Sequence, residues 1–197
     1  MSDAAASEAD AVLDFWFGAP ESAGFGSARK AWFTKDAAFD AQVRERFGAL
    51  VERALRGELD AWAEAPRSAL AQILLLDQFT RNAFRGTSRS FAGDARALAA
   101  ASRIVGSRQD EALPPFMRGF VYLPFEHAEG MAMQDEAIRL FNRLASEAPE
   151  HADMLDYAHR HRAVIERFGR FPHRNEILGR QSTAEEIAFV QQPGSGF

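Results

Sequence analysis

The sequence predicts an all-α fold of antiparallel helix pairs. Apolar residues recur at helical spacing along most of the 197 residues. No run shows the strict alternation of a half-buried strand, and no Asn-Gly pair signals a hairpin. The length fits one domain over residues 1–197, able to bury about 70% of its unfolded surface.

The elements follow in order. Val12/Trp16 and Leu13/Phe17 are i,i+4 pairs of a first helix that stops at Gly18 and Pro20. A Gly- and Ser-rich loop runs to Ser27. Phe39, Val43, Phe47, Leu50 and Ala54 stripe a second helix, ended by Gly57. Asp60 or Pro66 opens a third, which continues through "LAQILLLDQF". That segment is apolar nearly all round, so it belongs at the centre of the core. "NAFRGTS" breaks it, and Ser90 is the expected cap of "FAGDARALAAASRIV", which Gly106 stops. After Pro114 and Pro115 comes a short helix with Phe116 and Phe120, expected to break at Pro124. Two longer helices cover about 125–146 and 150–168, the second closed by Gly169. Thr183 with Glu186 forms a capping box for "AEEIAFV". No self-similarity appears at the roughly 34-residue period of helical repeats.

Composition narrows the function classes. A formal charge of −5 disfavours nonspecific binding to nucleic acid or anionic membrane. The absence of cysteine excludes disulfides, thiolate nucleophiles and Cys-ligated metals. All five histidines lie between 127 and 173, yet His159 and His161 are at i,i+2, and there is neither an HExxH motif nor an Asp-rich loop. No metal or other cofactor is therefore expected. No serine sits in a GxSxG context, and no glycine-rich loop follows a strand. The start "MSDAAASEAD" lacks the apolar core of a signal peptide, and no stretch reaches the roughly eighteen apolar residues of a membrane span. The expected location is cytoplasmic.

Within this acidic chain, cation is concentrated in two islands. Residues 77–96 hold Arg81, Arg85, Arg89 and Arg96 against Asp77 and Asp94. Residues 167–180, "RFGRFPHRNEILGR", hold Arg167, Arg170, Arg174 and Arg180 against Glu176. Polar groups also interrupt apolar stripes. Asp77 follows Leu70, Ile73 and Leu74 at spacings 7, 4 and 3. His127 shares a stripe with Met131, Gln134, Ile138 and Phe141, and His161 with Met154, Tyr157, Ile165 and Phe168. Buried without partners, neutral groups of this kind cost about 1–3 kcal/mol each, and charges cost more.

Two readings stay open. The arginines can fasten helices: Asp77 pairs with Arg81 at i+4 or accepts helix-start amides, while Arg170 and Arg174 cap helix carbonyls. Alternatively, the same groups wall a pocket in which guanidinium forks take a carboxylate or phosphate beside aromatic walls such as Phe171. Glu126, His127 and Glu129, with His161, also supply the residue types of acid–base chemistry. In either reading Gly169 ends its helix in a left-handed conformation. The segment after it folds back, burying Phe171 and aiming Arg170 and Arg174 inward.

Four stretches carry a resemblance: "VLDFWFG" (12–18), "LLLDQFTRNAFRGTSRSFAGDARALAAA" (74–101), "YLPFEHAEGMAMQ" (122–134) and "RFGRFPHRNEILGRQSTAEEIAF" (167–189). In order, and over nearly the whole chain, they resemble the bacterial domain-of-unknown-function family 924. The resemblance implies an all-helical, TPR-like fold, related to the right-handed superhelices of tetratricopeptide repeats. It implies no activity. The motif positions it carries over are Asp77, Gln78, Arg81, Asn82, Arg85, Asp94, Glu126, His127, Glu129, Gln134, His161, Arg170, His173, Arg174, Asn175 and Arg180. The family usually has His-Ser-Glu-Asp where this chain has His127-Ala128-Glu129-Gly130, so any contact made by that Ser and Asp is lost here.

The expected function is a TPR-like domain that binds a small anionic ligand or a peptide carboxylate. Arg81, Asn82, Arg85, His127, His161, Arg170, His173 and Arg174 would bind it. Asp77, Asp94, Glu126 and Gln134 would form the supporting polar network. A metal-independent hydrolase or lyase and a purely structural module are the alternatives. Neither nucleic acid nor membrane is an expected partner.

Overall fold

The structure, a computed structural model, describes residues 3–32 and 34–195, with side chains from Ser7 onward. It is all-α: α1 (Asp3–Phe17), α2 (Ala37–Leu55), α3 (Pro66–Ile73), α4 (Thr80–Ala83), α5 (Asp94–Gly106), α6 (Pro115–Glu126), α7 (Met131–Glu147), α8 (Ala152–Phe168) and α9 (Ala184–Val190). No strand occurs among the described residues. None of the described helices is long and apolar enough to cross a membrane. The expected single domain of 1–197 includes residues 1, 2, 33, 196 and 197, which lie outside the described residues.

The apolar run forms the centre of the molecule. Pro66 opens α3 at a position where its missing N–H costs nothing. Every residue from Ser68 to Thr80 is buried, and α3 packs against α1, α5 and α6. Between α3 and α4 the chain widens, without a break, into a π-helical turn over Leu74–Phe79. Such turns are rare and cluster at functional sites. Phe79 anchors this one, its ring 5.2 Å from Phe47 and 5.4 Å from Trp16. Thr80 Oγ1 donates to the Leu76 carbonyl at 2.8 Å. Gly93 presses on the same carbonyl so closely that a Cβ there would lie 2.1 Å from the oxygen.

That contact corrects one expectation. Ser90 does not cap the following helix; it lies in a 3₁₀ turn and donates to the Phe84 carbonyl at 2.7 Å. The helix begins at Asp94, because only glycine at position 93 lets the chain pass the π-turn. Pro124 gives a second correction. α6 runs through it to Glu126, although Pro124 has no N–H to give to the Phe120 carbonyl. The turn falls at 127–130 instead, and α7 begins at Met131 rather than at 125. Gln134 stabilises that turn by donating to the Glu126 and Ala128 carbonyls at 2.7 and 2.8 Å, which the end of α6 leaves open.

α7 and α8 are joined by residues 148–151 and pack along each other, as a short connection requires of an antiparallel pair. Gly169 ends α8 at φ +68, the left-handed conformation expected of it. The capping box of α9 is present: Thr183 Oγ1 accepts from the Glu186 amide at 3.2 Å, and Glu186 Oε2 from the Thr183 amide at 2.7 Å.

Candidate functional site

Asp77 sits in the π-turn, 1% exposed. Its Oδ1 accepts from His127 Nδ1 at 2.7 Å and lies 3.1 Å from Arg81 Nη1; its Oδ2 accepts from the Gln78 amide at 2.6 Å. Arg81 also donates to the Asp77 carbonyl at 2.6 Å and to both Asp94 oxygens at 2.9 and 3.2 Å. With Asp77 as acceptor, the His127 proton belongs on Nδ1 and the lone pair on Nε2. No hydrogen bond from the described residues reaches that Nε2, and the side chain is 15% exposed.

Arg174 is 6% exposed, its guanidinium held between the rings of Phe91 and Phe171 at 4.7 and 4.6 Å. It makes one hydrogen bond, Nη1 to Asp94 Oδ2 at 3.2 Å. Its Nε is buried without a partner, and no described residue accepts from Nη2. Elsewhere in the molecule Arg85, Arg108, Arg139 and Arg170 each turn the same Nε/Nη2 edge onto both oxygens of one carboxylate. In Arg174 that edge meets no acceptor among the described residues, and its Nε is closed to solvent.

These groups close into a ring of contacts. From Asp77 it passes to His127 (2.7 Å), then by ring centroids to His161 (6.2 Å) and Phe171 (5.5 Å). It continues to the Arg174 guanidinium (4.6 Å), to Asp94 (3.2 Å), to Arg81 (2.9 Å) and back to Asp77 (3.1 Å). Five segments contribute: the π-turn and α4, the start of α5, the end of α6, α8, and the chain after Gly169. Glu129 pins the last of these. It accepts the Phe171 amide at 2.8 Å and both terminal nitrogens of Arg180 at 2.6 and 3.0 Å, while Arg180 also donates to the Phe171 carbonyl. Phe171 is fully buried, as the sequence led us to expect.

Burial and charge set the protonation states. Burial would raise the Asp77 pKa, but the Arg81 charge, His127 and Gln78 outweigh it and hold the carboxyl well below its ordinary range. Burial pushes His127 down, with Arg81 adding to it against the pull of Asp77. His161 is pushed down to about 3 by burial and by His127, and His173 to about 4 by burial and by Arg174. Glu126 goes the other way, up to about 8, through burial and the Asp77 charge. Its Oε1 lies 3.2 Å from His161 Nδ1, which also contacts the Tyr157 carbonyl at 2.9 Å; its Oε2 has no partner. Burial, then Arg81, lowers Arg174 to about 10. The site thus sets the acidic side chains of Asp77, Asp94 and Glu129 against the guanidinium groups of Arg81, Arg174 and Arg180.

The structure divides the residues expected to bind a ligand. Arg81, His127, His161 and Arg174 meet in the ring with Asp77 and Asp94; Glu126 and His173 flank it, the His173 ring 5.7 Å from that of Phe171. Asn82 and Arg85 lie elsewhere, on Asp40 of α2. Asn82 donates to Oδ1 at 2.8 Å, and Arg85 donates at 2.6 and 2.8 Å. Gln134 serves the α6–α7 turn. Arg170, expected to aim inward, instead grips Glu186 of α9 at 2.7 and 2.9 Å. The backbone at Phe171 is extended, so neighbouring side chains diverge, and burying Phe171 turns Arg170 out.

Sequence reasoning missed Asp40 and Phe91. Asp40 was findable: with Val43, Phe47 and Val51 it keeps a 3-4-4 spacing on a buried stripe. Phe91 lies in a short 3₁₀ turn without periodicity, and nothing marks it. Two surface concavities, one around Lys30–Ala37 and one lined by Asp60, Gln72, Arg96 and Arg103, are separate from the ring. Neither gathers histidine beside carboxylate. No three His, Asp or Glu side chains among the described residues form a metal-holding group.

The family described as "Bacterial protein of unknown function (DUF924)" matches residues 12–194. Among solved structures, the protein of unknown function ATU0120 from Agrobacterium tumefaciens is similar at 42% identity. The match covers 94% of this chain and 98% of that one, with a TM-score of 0.82. No curated protein matches the chain. With nearly its whole length inside the family pattern, the chain belongs to the DUF924 family of bacterial proteins.

Proposed function

We propose that the protein binds a small carboxylate on the open Nε/Nη2 edge of Arg174. The observation that supports this reading is a guanidinium 6% exposed with a single hydrogen bond to the described residues. Each unsatisfied buried donor costs about 1–3 kcal/mol, and an incoming carboxylate would satisfy two donors at once with charge-assisted bonds. Phe91 and Phe171 fix the plane of the fork, so little freedom is lost on binding. His127 is another member of the ring, and no described residue bonds to its Nε2. The ligand is small because the Arg174 side chain is 8% exposed with its Nε closed to solvent, so a carboxylate reaches the edge only as neighbouring side chains give way. On the family resemblance the scaffold is read as a single TPR-like domain, and from the sequence the protein is expected to be cytoplasmic.

One observation favours a purely structural role: the charges of the site balance without a ligand. Thermal shift and titration calorimetry with acetate, lactate, pyruvate and phosphate separate the two. A carboxylate at a hundredfold over its Kd should stabilise the wild type by about 2.7 kcal/mol. That gain should vanish in Arg174→Gln and persist in Arg170→Gln. If no anion stabilises the wild type more than Arg174→Gln, the arginine only fastens the fold.

A further inference from the structure

We propose that His127 is a general base that removes a carbon-bound proton from a 2-oxo acid held on Arg174. This rests on the carboxylate-binding reading above and adds a reaction to it.

The geometry is that of an oriented base. Asp77 cannot turn away, because its two oxygens are tied to Arg81, Gln78 and His127 in a site 1% exposed. The imidazole is therefore fixed with Nδ1–H on the carboxylate, and no described residue bonds to the Nε2 lone pair. Burial and Arg81 keep the ring in its unprotonated form at neutral pH, the form a base needs. No serine, threonine or tyrosine hydroxyl bonds to His127 among the described residues. The pair is thus not arranged to activate a protein nucleophile, and the imidazole acts on the ligand itself.

The Arg174 edge selects the ligand class. Its two parallel N–H groups match two coplanar oxygens, and a 2-oxo acid presents a carboxylate oxygen and the keto oxygen side by side. Removing a proton from C3 moves charge onto that keto oxygen. A guanidinium already bonded to it binds the enolate more tightly than the ketone, which is what lowers a barrier. In the step, the C3–H bond breaks and an N–H bond forms at Nε2. The C–H electron pair becomes the C2–C3 double bond, and the carbonyl pair moves onto oxygen as enolate. Reversal returns a proton from Nε2 to C3, and in D2O it returns a deuteron. Nothing else is consumed.

Proton NMR of pyruvate and 2-oxobutyrate in D2O tests this, with pyruvate binding measured by calorimetry on the same samples. His127→Asn is the informative variant, because its side-chain amide can keep the donor to Asp77 while removing Nε2. The wild type should exchange the C3 protons on the order of 10²-fold or more faster than His127→Asn, which should still bind pyruvate. Arg174→Gln should lose binding and exchange together, and it supplies the reference rate if His127→Asn does not fold. Pyruvate bound by the wild type with exchange no faster than in the variants overturns the general base and leaves the binding site standing. Failure of the wild type to bind either acid overturns the 2-oxo acid and the base, while the carboxylate site stands or falls on the acetate and lactate titrations.

Discussion

Two aspartates of this molecule interrupt apolar stripes, and their surroundings differ in one respect. Asp40 takes two bonds from Arg85 and one from Asn82, and the Nε/Nη2 edge of Arg85 is fully used. Asp77 is just as saturated, but its cluster ends in groups that are not: the open edge of Arg174, Nε2 of His127 and the unpartnered Oε2 of Glu126. The first region is closed on itself, as a fastener should be. The second stops short of closure at four atoms, on Arg174, His127 and Glu126. Burying a charge without completing its hydrogen bonds is costly, so what separates tool from fastener here is the incomplete valence, not the presence of arginine.

The largest expected effect is at Asp77. Asp77→Ala leaves His127 Nδ1 and the Gln78 side-chain amide without their acceptor and removes one of the two carboxylates on Arg81, and should cost about 3–5 kcal/mol in urea unfolding. Asp40→Ala should cost less, about 2–3 kcal/mol, because the Arg85 side chain is 36% exposed and can turn to water. Equal losses would erase the contrast in burial between the two regions.

pH dependence comes next. Glu126 has its pKa raised from 4.5 to about 8, so the folded state holds an extra proton between those values. Its contribution is complete below about pH 4.5 and is lost as pH rises to about 8. His161 and His173 fall from 6.5 to about 3 and 4, so the unfolded state holds the extra protons there, and stability recovers as pH climbs to 6.5. Stability should therefore peak near pH 6.5 and decline to pH 8, by about 2 kcal/mol at most for one proton over that window. Glu126→Gln should flatten the alkaline decline, and Asp40→Asn should leave it unchanged. A wild-type curve still rising through pH 8 would contradict the protonated Glu126.

The smallest effect concerns the backbone that delivers Arg174. Gly169→Ala places a Cβ in a left-handed residue, though in open space, and should cost about 1 kcal/mol. It should weaken carboxylate binding without touching the Arg85 cluster. Equal affinity in Gly169→Ala and wild type would show that this turn does not place the arginine.

How much was legible in the sequence follows from what periodicity can encode. The spacing of Asp77 behind Leu70, Ile73 and Leu74 announced its burial, and Gly169 before a proline announced a left-handed stop. The π-turn was not visible, because a run that is apolar all round has no period to disturb. Pro124 misled, because the helix loses one i→i−4 bond there and still runs two residues further. Of the arginines, the sequence could say only that they would meet acids. Whether Arg170 or Arg174 faces the ring is decided by one extended residue at Phe171, and Arg85 goes to Asp40 through a contact 45 positions away. Phe91, half of the clamp on Arg174, left no trace in any pattern.

The central claim is that Arg174 keeps open an edge that Arg85 has filled. The most direct measurement is an NMR titration that follows the arginine Nε–H signals, assigned with Arg174→Lys and Arg85→Lys, as pyruvate is added. The account predicts a saturable shift of the Arg174 signal and a stationary Arg85 signal. An Arg174 signal that stays still, or arginines that all drift together with ionic strength, would contradict it.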